Sequence, residues 1–199
     1  MKRSLPVALI GLYVALAGCG SSGNIQERTQ FTRLDSLTDE YLVLQDSVLQ
    51  SWNRVVKTET DRSKVLKQLV QQLARVSGAV TIQSLQTQVA QLEKIRFTPK
   101  SISNPHVVDE YDAACKSVLE HIHQLSEEVG TLAASPEFVQ QVQWAQQASV
   151  KSIFQRARYD SLATLFNTFV ESNWHELREI ERNAQLERKP LFNNVASKQ

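Results

Sequence analysis

The sequence predicts an all-α fold, an elongated antiparallel four-helix bundle with coiled-coil-like packing. Three observations predict it. Apolar residues recur in steps of three and four over long stretches, the spacing that lines one face of a helix. Gln, Leu, Ala, Glu, Lys and Arg fill the chain, while glycine and proline are scarce in its interior. No run alternates apolar and polar residues well enough to read as a strand.

The beginning of the chain has a different character. Lys2 and Arg3 open it, residues 5–17 are apolar with breaks at Pro6 and Gly11, and Leu16-Ala17-Gly18-Cys19 follows. A positive start, a short apolar core and small residues at a cut make a secretory signal peptide. The apolar stretch falls short of the roughly 20 residues that a spanning helix needs. Leu16-Ala17-Gly18-Cys19 resembles the bacterial lipobox, in which the cysteine thiol accepts diacylglycerol. The resemblance implies that residues 1–18 are removed and that Cys19 becomes a lipidated N-terminus with an added acyl chain. One myristoyl chain holds a membrane only marginally, at about 0.8 kcal/mol per buried methylene, so two or three chains give a stable anchor. Gly20 stands where an aspartate tends to retain such proteins in the inner membrane. The expected location is therefore the outer membrane, facing the periplasm.

Residues 19–31 read as the lipidated cysteine and a flexible tether, with Gly20-Ser21-Ser22-Gly23-Asn24 at its start. Residues 32–199 read as one helical domain, the size that this length allows. Loss of Lys2 and Arg3 takes the formal charge from +1 to −1. Without a basic surplus, nucleic acid is not an expected partner. Cys115 is left without an intrachain disulfide partner once Cys19 carries lipid. It reads as a small apolar core residue, with an intermolecular disulfide as the alternative.

The first helix is expected over about 32–59, with Leu34, Leu37, Tyr41, Leu44, Val48, Trp52 and Val55 on one face. The second is expected over about 61–96. Leu66, Leu69, Leu73, Val76 and Val80 keep a heptad, which slips near Gly78 and resumes with Leu85, Val89 and Leu92. Residues 97–105 carry Pro99, Ser101, Ser103 and Asn104 and read as a loop. The third helix is expected over about 106–133. Val108, Tyr111, Cys115, Val118, Ile122, Leu125, Val129 and Leu132 form the cleanest coiled-coil stripe in the chain. Ser135-Pro136-Glu137 is a helix start, combining a cap, a first-turn proline and an early acid. The fourth helix continues to about Ser172, with Val142, Ala145, Ile153, Tyr159, Leu162, Phe166 and Phe169 as its core. A further piece, 174–184, either continues that helix or turns off it. The tail, 189–193, reads as extended, with Leu191 and Phe192 packed back on the helices. Short loops between long amphipathic helices favour the up-down arrangement.

Two stretches resemble the LemA family. Trp52 is followed by Arg62 and then Val65-Leu66-Lys67-Gln68-Leu69-Val70, where LemA proteins carry a tryptophan, an arginine and a Leu-Ile-Pro-Asn-Leu-Val-like run. Lys67 and Gln68 depart from the proline and asparagine of that run. In the last long helix, Arg156, Tyr159-Asp160 and Phe166-Asn167 match the spacing of an arginine and two Tyr-Asn pairs. Thr168 follows as in the family, Asn173-Trp174 replaces its Phe-Pro, and Pro190-Leu191-Phe192 resembles its Pro-Tyr-Phe ending. The resemblance spans about 37–192. It implies a coiled-coil-rich four-helix domain on a membrane anchor, with lipid here in place of the usual spanning helix. It implies no catalytic residues. Trp52, Arg62, Leu69, Arg156, Tyr159, Phe166 and Asn167 are thus expected to be structural, the aromatics as core anchors with amide or acid neighbours bonding at the edge.

Other constellations carry little. Glu120-His121-Ile122-His123 contains Glu-x-x-His, a di-metal motif of helical bundles, but there is no second copy. The stripe through Cys115, Val118 and Ile122 also turns Glu120 and His123 outward. No Gly-x-Ser-x-Gly elbow, phosphate-binding glycine loop or paired cysteine ligands are present. No catalytic, cofactor-binding or metal-binding residue is therefore assigned. Trp144, beside Ala145, is expected to be buried or half-buried, or otherwise to anchor a partner. The function expected is a periplasm-facing, non-catalytic scaffold or adaptor for other envelope proteins. A structural subunit of a secretion or transport assembly comes second, and a cell-envelope enzyme third. Periodicity leaves the oligomeric state open.

Overall fold

The computed structural model describes residues 32–76, 79–131, 135–180 and 186–193. Leu16, Ala17, Gly18, Cys19 and the tether lie outside the described residues. Every regular element among the described residues is a helix: α1 Arg33–Leu73, α2 Ala79–Lys94, α3 Pro99–Ile102, α4 Pro105–Val129, α5 Pro136–Ser172 and α6 Trp174–Ile180. None is long and apolar enough to cross a membrane.

α1 corrects the expected boundary between a first and a second helix. It runs through Thr60 without a break. Val48, Trp52, Val55, Glu59, Arg62, Leu66, Leu69 and Leu73 alternate steps of four and three, which is one continuous heptad seam. Two charged residues occupy seam positions, so the apolar pattern fades while the helix continues. The break comes after Leu73, where Ala74, Arg75 and Val76 form a turn. Val76 is consequently exposed instead of being a core residue. At about 1.5 Å per residue, α1 is roughly 60 Å long.

Caps define the helix ends. The Thr32 hydroxyl accepts from the Asp35 amide at 3.2 Å, and the Asp35 carboxylate accepts from the Thr32 amide at 2.8 Å, a reciprocal box that satisfies two orphan donors. The expected 97–105 loop contains the one-turn α3, capped by Thr98 and started by Pro99. α4 is capped by Asn104, starts at Pro105 and ends before Gly130, whose φ of 56° suits a residue without Cβ. Ser135 occupies the cap position of α5 but makes no side-chain cap bond. Asn173 separates α5 from α6, so the final helix is an element of its own.

α1 and α5 lie antiparallel. Tyr41 meets Phe166 and Trp52 meets Tyr159, with ring centroids 5.7 and 5.4 Å apart. Two apolar regions hold the helices together. One joins Leu66, Leu69 and Leu73 of α1 to Leu85 and Val89 of α2, Tyr111, Cys115 and Ile122 of α4, and Phe138 and Ala145 of α5. The other joins Tyr41, Val48 and Val55 to Ile102, Tyr159, Phe166, Val170, Leu177, Leu186 and Phe192. Each fully buried large apolar side chain contributes about 1.5–3 kcal/mol.

Besides Val76, three expected positions point the other way. Leu34 is exposed, Ile153 is 66% exposed, and Trp144 is 50% exposed. For Ile153 and Trp144 the reason is the phase of α5. Ala145, Ser152, Arg156, Tyr159, Ala163, Phe166 and Val170 form its buried stripe, and Ile153 follows Ser152 on the far side.

Candidate functional site

Polar residues placed in the helix seams meet between the two apolar regions. Arg62 falls seven residues after Val55 on α1, and Glu59 seven after Trp52. On α5, Ser152 continues the Ala145 register and Arg156 precedes Ala163 by seven. A helix that buries those stripes must bury these groups as well. Asp112, beside Tyr111 on α4, completes the set.

The Arg156 guanidinium is the hub. Nε and Nη2 donate to Glu59 Oε1 at 2.9 and 2.7 Å, and Nη1 donates to Asp112 Oδ2 at 2.7 Å. The Ser152 hydroxyl donates to the same Glu59 oxygen. Arg62 Nη1 donates to Asp112 Oδ1 at 2.8 Å and lies 3.7 Å from Glu59 Oε2. Two cations and two anions thus form a neutral network across α1, α4 and α5. Aromatic faces cover it. Arg156 sits 5.0 Å from the Phe97 ring centroid and 5.5 Å from that of Phe192, and Arg62 5.7 Å from that of Tyr111.

Electrostatics follow from this enclosure. Burial pushes the Asp112 carboxyl up, but the hydrogen bonds and charges of Arg156 and Arg62 outweigh it and hold the group below its ordinary value. Burial pushes the Cys115 thiol up, which makes it a poor nucleophile. Burial likewise raises Tyr159, to about 12. A small cavity of about 40 Å³ lies beside Glu59, Phe97 and Tyr111, enough for one water molecule.

A second polar cluster holds the tail, residues 186–193. The Asn167 side chain grips the Lys189 backbone from both sides, donating to its carbonyl at 2.9 Å and accepting from its amide at 2.7 Å. The Asp160 carboxylate accepts from the amides of Phe192 and Asn193 at 2.8 and 3.0 Å. Burial raises the Asp160 pKa, and the two amides and the Asn193 side chain pull it partly back. Phe192 is buried against Trp52, Tyr159 and Phe97. Leu191 is half-buried.

The residues singled out by the LemA resemblance converge here. Arg62 and Arg156 hold the ionic network, and Asn167 holds the tail. Trp52, half-buried, and Tyr159 cradle Phe192, and Phe166 packs against Tyr41. Leu69 lies in the neighbouring apolar region. Sequence reasoning missed Glu59, Asp112 and Ser152 as members of the cluster. The signal was a charged or hydroxyl side chain at, or next to, a seam position. Glu120 and His123 are exposed, as are His106, His121 and His175. Among the described residues, no group of three His, Cys, Asp or Glu side chains is placed to hold a metal. No protein-family model, curated protein or solved structure matches the chain. The LemA resemblance therefore rests on the quoted residues alone.

Proposed function

We propose that the chain is an envelope lipoprotein, anchored through Cys19 in the outer membrane and facing the periplasm. In this reading α1, α2, α4 and α5 make an elongated antiparallel four-helix bundle of LemA type. Its role is a non-catalytic scaffold or adaptor for other envelope proteins. The ionic network supports a structural part for the buried charges, because each charged side chain is paired with another within the chain, although Glu59 Oε2 and Arg62 Nε have no hydrogen-bond partner.

The observation that carries the reading is the outer face of α5. Val150, Ile153 and Phe154 are 62–70% exposed there, with Val139 and Leu165 further along and Trp144 at the edge. Large apolar groups clustered on one exposed helical face mark an interaction surface. Lys151 and Arg158 flank the patch. Between Phe138 and Val170 the single carboxylate is Asp160, which is engaged by the tail. Charge complementarity thus favours an acidic amphipathic segment of another envelope protein.

Photo-crosslinking from position 150 of the full chain in its own membrane tests this. The expected result is a discrete adduct that the pair Ile153→Ser and Phe154→Ser removes without lowering the melting temperature. Lys151→Glu should weaken the same adduct, most at low salt. An adduct unchanged by the three substitutions overturns the reading.

A further inference from the structure

The tail is held in a way that a peptide-binding site holds a ligand. Asp160 and Asn167 are seven residues apart on α5, about 10.5 Å along the helix at 1.5 Å per residue. Lys189 and Phe192 are three apart in the tail, about 10 Å in an extended chain. The two clamps are therefore matched to one register of an extended segment running antiparallel to the helix. Both clamps grip main-chain groups, and only Asp160 adds a side-chain bond, from Asn193, so they read mostly the backbone. Pro190, between them, lacks an amide and leaves none unpaired there.

Selectivity comes from one pocket. The Phe192 ring enters a box made by Trp52, Tyr159, Phe97 and the Arg156 guanidinium, with ring centroids 5.6–6.1 Å away and the cation at 5.5 Å. Main-chain bonds for affinity and a side-chain pocket for specificity is how extended peptides are recognised generally. The track also continues beside the tail. An open groove of about 1160 Å³ along Ala157, Ser161 and Thr164 lies on one flank, and another of about 440 Å³ along Val48 and Leu49 lies on the other.

We propose that this track is a binding site for an extended peptide with a Pro-Leu-aromatic run, occupied in cis by Leu186–Asn193 as a displaceable latch. Apart from Leu165, which also lines the flanking groove, the site is separate from the exposed patch around Phe154, and it does not depend on the lipid anchor. A tethered ligand acts at an effective concentration in the millimolar range. A competing segment in trans must overcome that, so the latch sets a threshold for partner binding. Displacement also uncovers the Arg156 side of the ionic network, which Phe192 covers when seated.

The test uses the full chain carrying Phe192→Ala, which empties the aromatic box while keeping the tail. A fluorescent peptide of residues 186–193 is titrated against it and followed by anisotropy. Saturable binding is expected, at least about tenfold tighter than to the unaltered chain, whose own tail competes. Phe192→Ala in the peptide, or Asn167→Ala added to the protein, should each weaken it by about tenfold or more. A helical Phe192→Ala chain that does not bind the peptide overturns the proposal. Hydrogen exchange on the unaltered chain decides the matter if that variant does not fold. The amides of Lys189, Phe192 and Asn193 should then exchange at least about a hundredfold faster than those around Phe166, through local opening. Equal protection means that the tail leaves only on global unfolding, and excludes a latch.

Discussion

Arg156 of α5 donates to one oxygen of Glu59 on α1 through both Nε and Nη2, at 2.9 and 2.7 Å. Both side chains are buried. The pair locks the register of the two longest helices, because a shift of either by one residue would strand two charges in the core. A buried pair of this kind adds little net stability, since its solvation cost offsets much of its attraction, whereas leaving either charge unpaired is costly.

That balance separates single from double substitutions. Arg156→Met or Glu59→Leu alone should cost about 3–5 kcal/mol, by leaving a buried charge unpaired. The double variant should cost markedly less than the sum, with a coupling of about 1–3 kcal/mol. Urea unfolding of the four proteins measures it. Additive losses would mean that the two groups are not a pair.

Asp112 gives the network its pH dependence. Burial raises its pKa, but Arg156 and Arg62 lower it further, so the folded value lies below the unfolded one. Its contribution is therefore fully present above the ordinary carboxylate range and is lost as pH falls through the folded pKa. Its side chain is 38% exposed, which screens the interaction. Asp112→Asn should cost about 1–2 kcal/mol at neutral pH. The gap between variant and parent should shrink as pH drops below the usual carboxylate range. Urea midpoints at pH 7 and pH 3 read it directly, and a gap that widens in acid would contradict the assignment.

The phase of α4 can be checked with two neighbours. Ile122 is completely buried, while Glu120 is exposed and, among the described residues, pairs with Lys116 at 3.7 Å. Ile122→Asp should abolish cooperative folding, because it places a carboxylate among the buried apolar side chains of that cluster. Glu120→Ala should stay within about 0.5 kcal/mol of the parent. Similar thermal shifts for the two would mean a rotated helix.

Where the seam is apolar, the fold was legible in the sequence. The α4 stripe from Val108 to Ile122 and the late α5 stripe of Tyr159 and Phe166 are buried as their spacing implies. The seam of α1 was misread at Glu59 and Arg62. Charged side chains there look like a surface or a boundary until their partners are known. Those partners are Asp112, 50 residues beyond Arg62, and Arg156, 97 beyond Glu59, and no local periodicity reports such pairings. Ile153 was misplaced because α5 carries large apolar residues on both faces, so steps of three and four alone do not select the buried one. Asp160 and Asn167 were visible as edge residues, but the Lys189 and Phe192 amides that they bind were not.

Phe166 anchors the region of the core nearest the tail. It is 1% exposed, lies 5.7 Å from the Tyr41 ring, and has Lys189 Nζ 5.0 Å from its centroid. Phe166→Ala should cost about 3–5 kcal/mol. The tail should loosen as well; Pro190 blocks trypsin after Lys189, so the bond after Arg188 becomes the diagnostic cut site. An unchanged melting temperature would place this ring at an interface instead of in the core.

The anchor is tested at Cys19, whose thiol is the acceptor in the lipobox reading of Leu16-Ala17-Gly18-Cys19. A hydroxyl is a far weaker nucleophile than a thiol at neutral pH, and a methyl group is none. Cys19→Ser and Cys19→Ala should therefore both abolish incorporation of an alkyne-tagged fatty acid. Both should also leave an uncleaved precursor, because lipid attachment precedes cleavage at such a box. Cys115 is buried and its thiol is pushed up by burial, so it offers no competing acceptor, and Cys115→Ala should label like the parent. Gly20→Asp should keep the label and move the protein toward the inner-membrane fraction. Label that persists in Cys19→Ala would remove the lipid anchor from the reading, and with it the argument for a periplasm-facing scaffold.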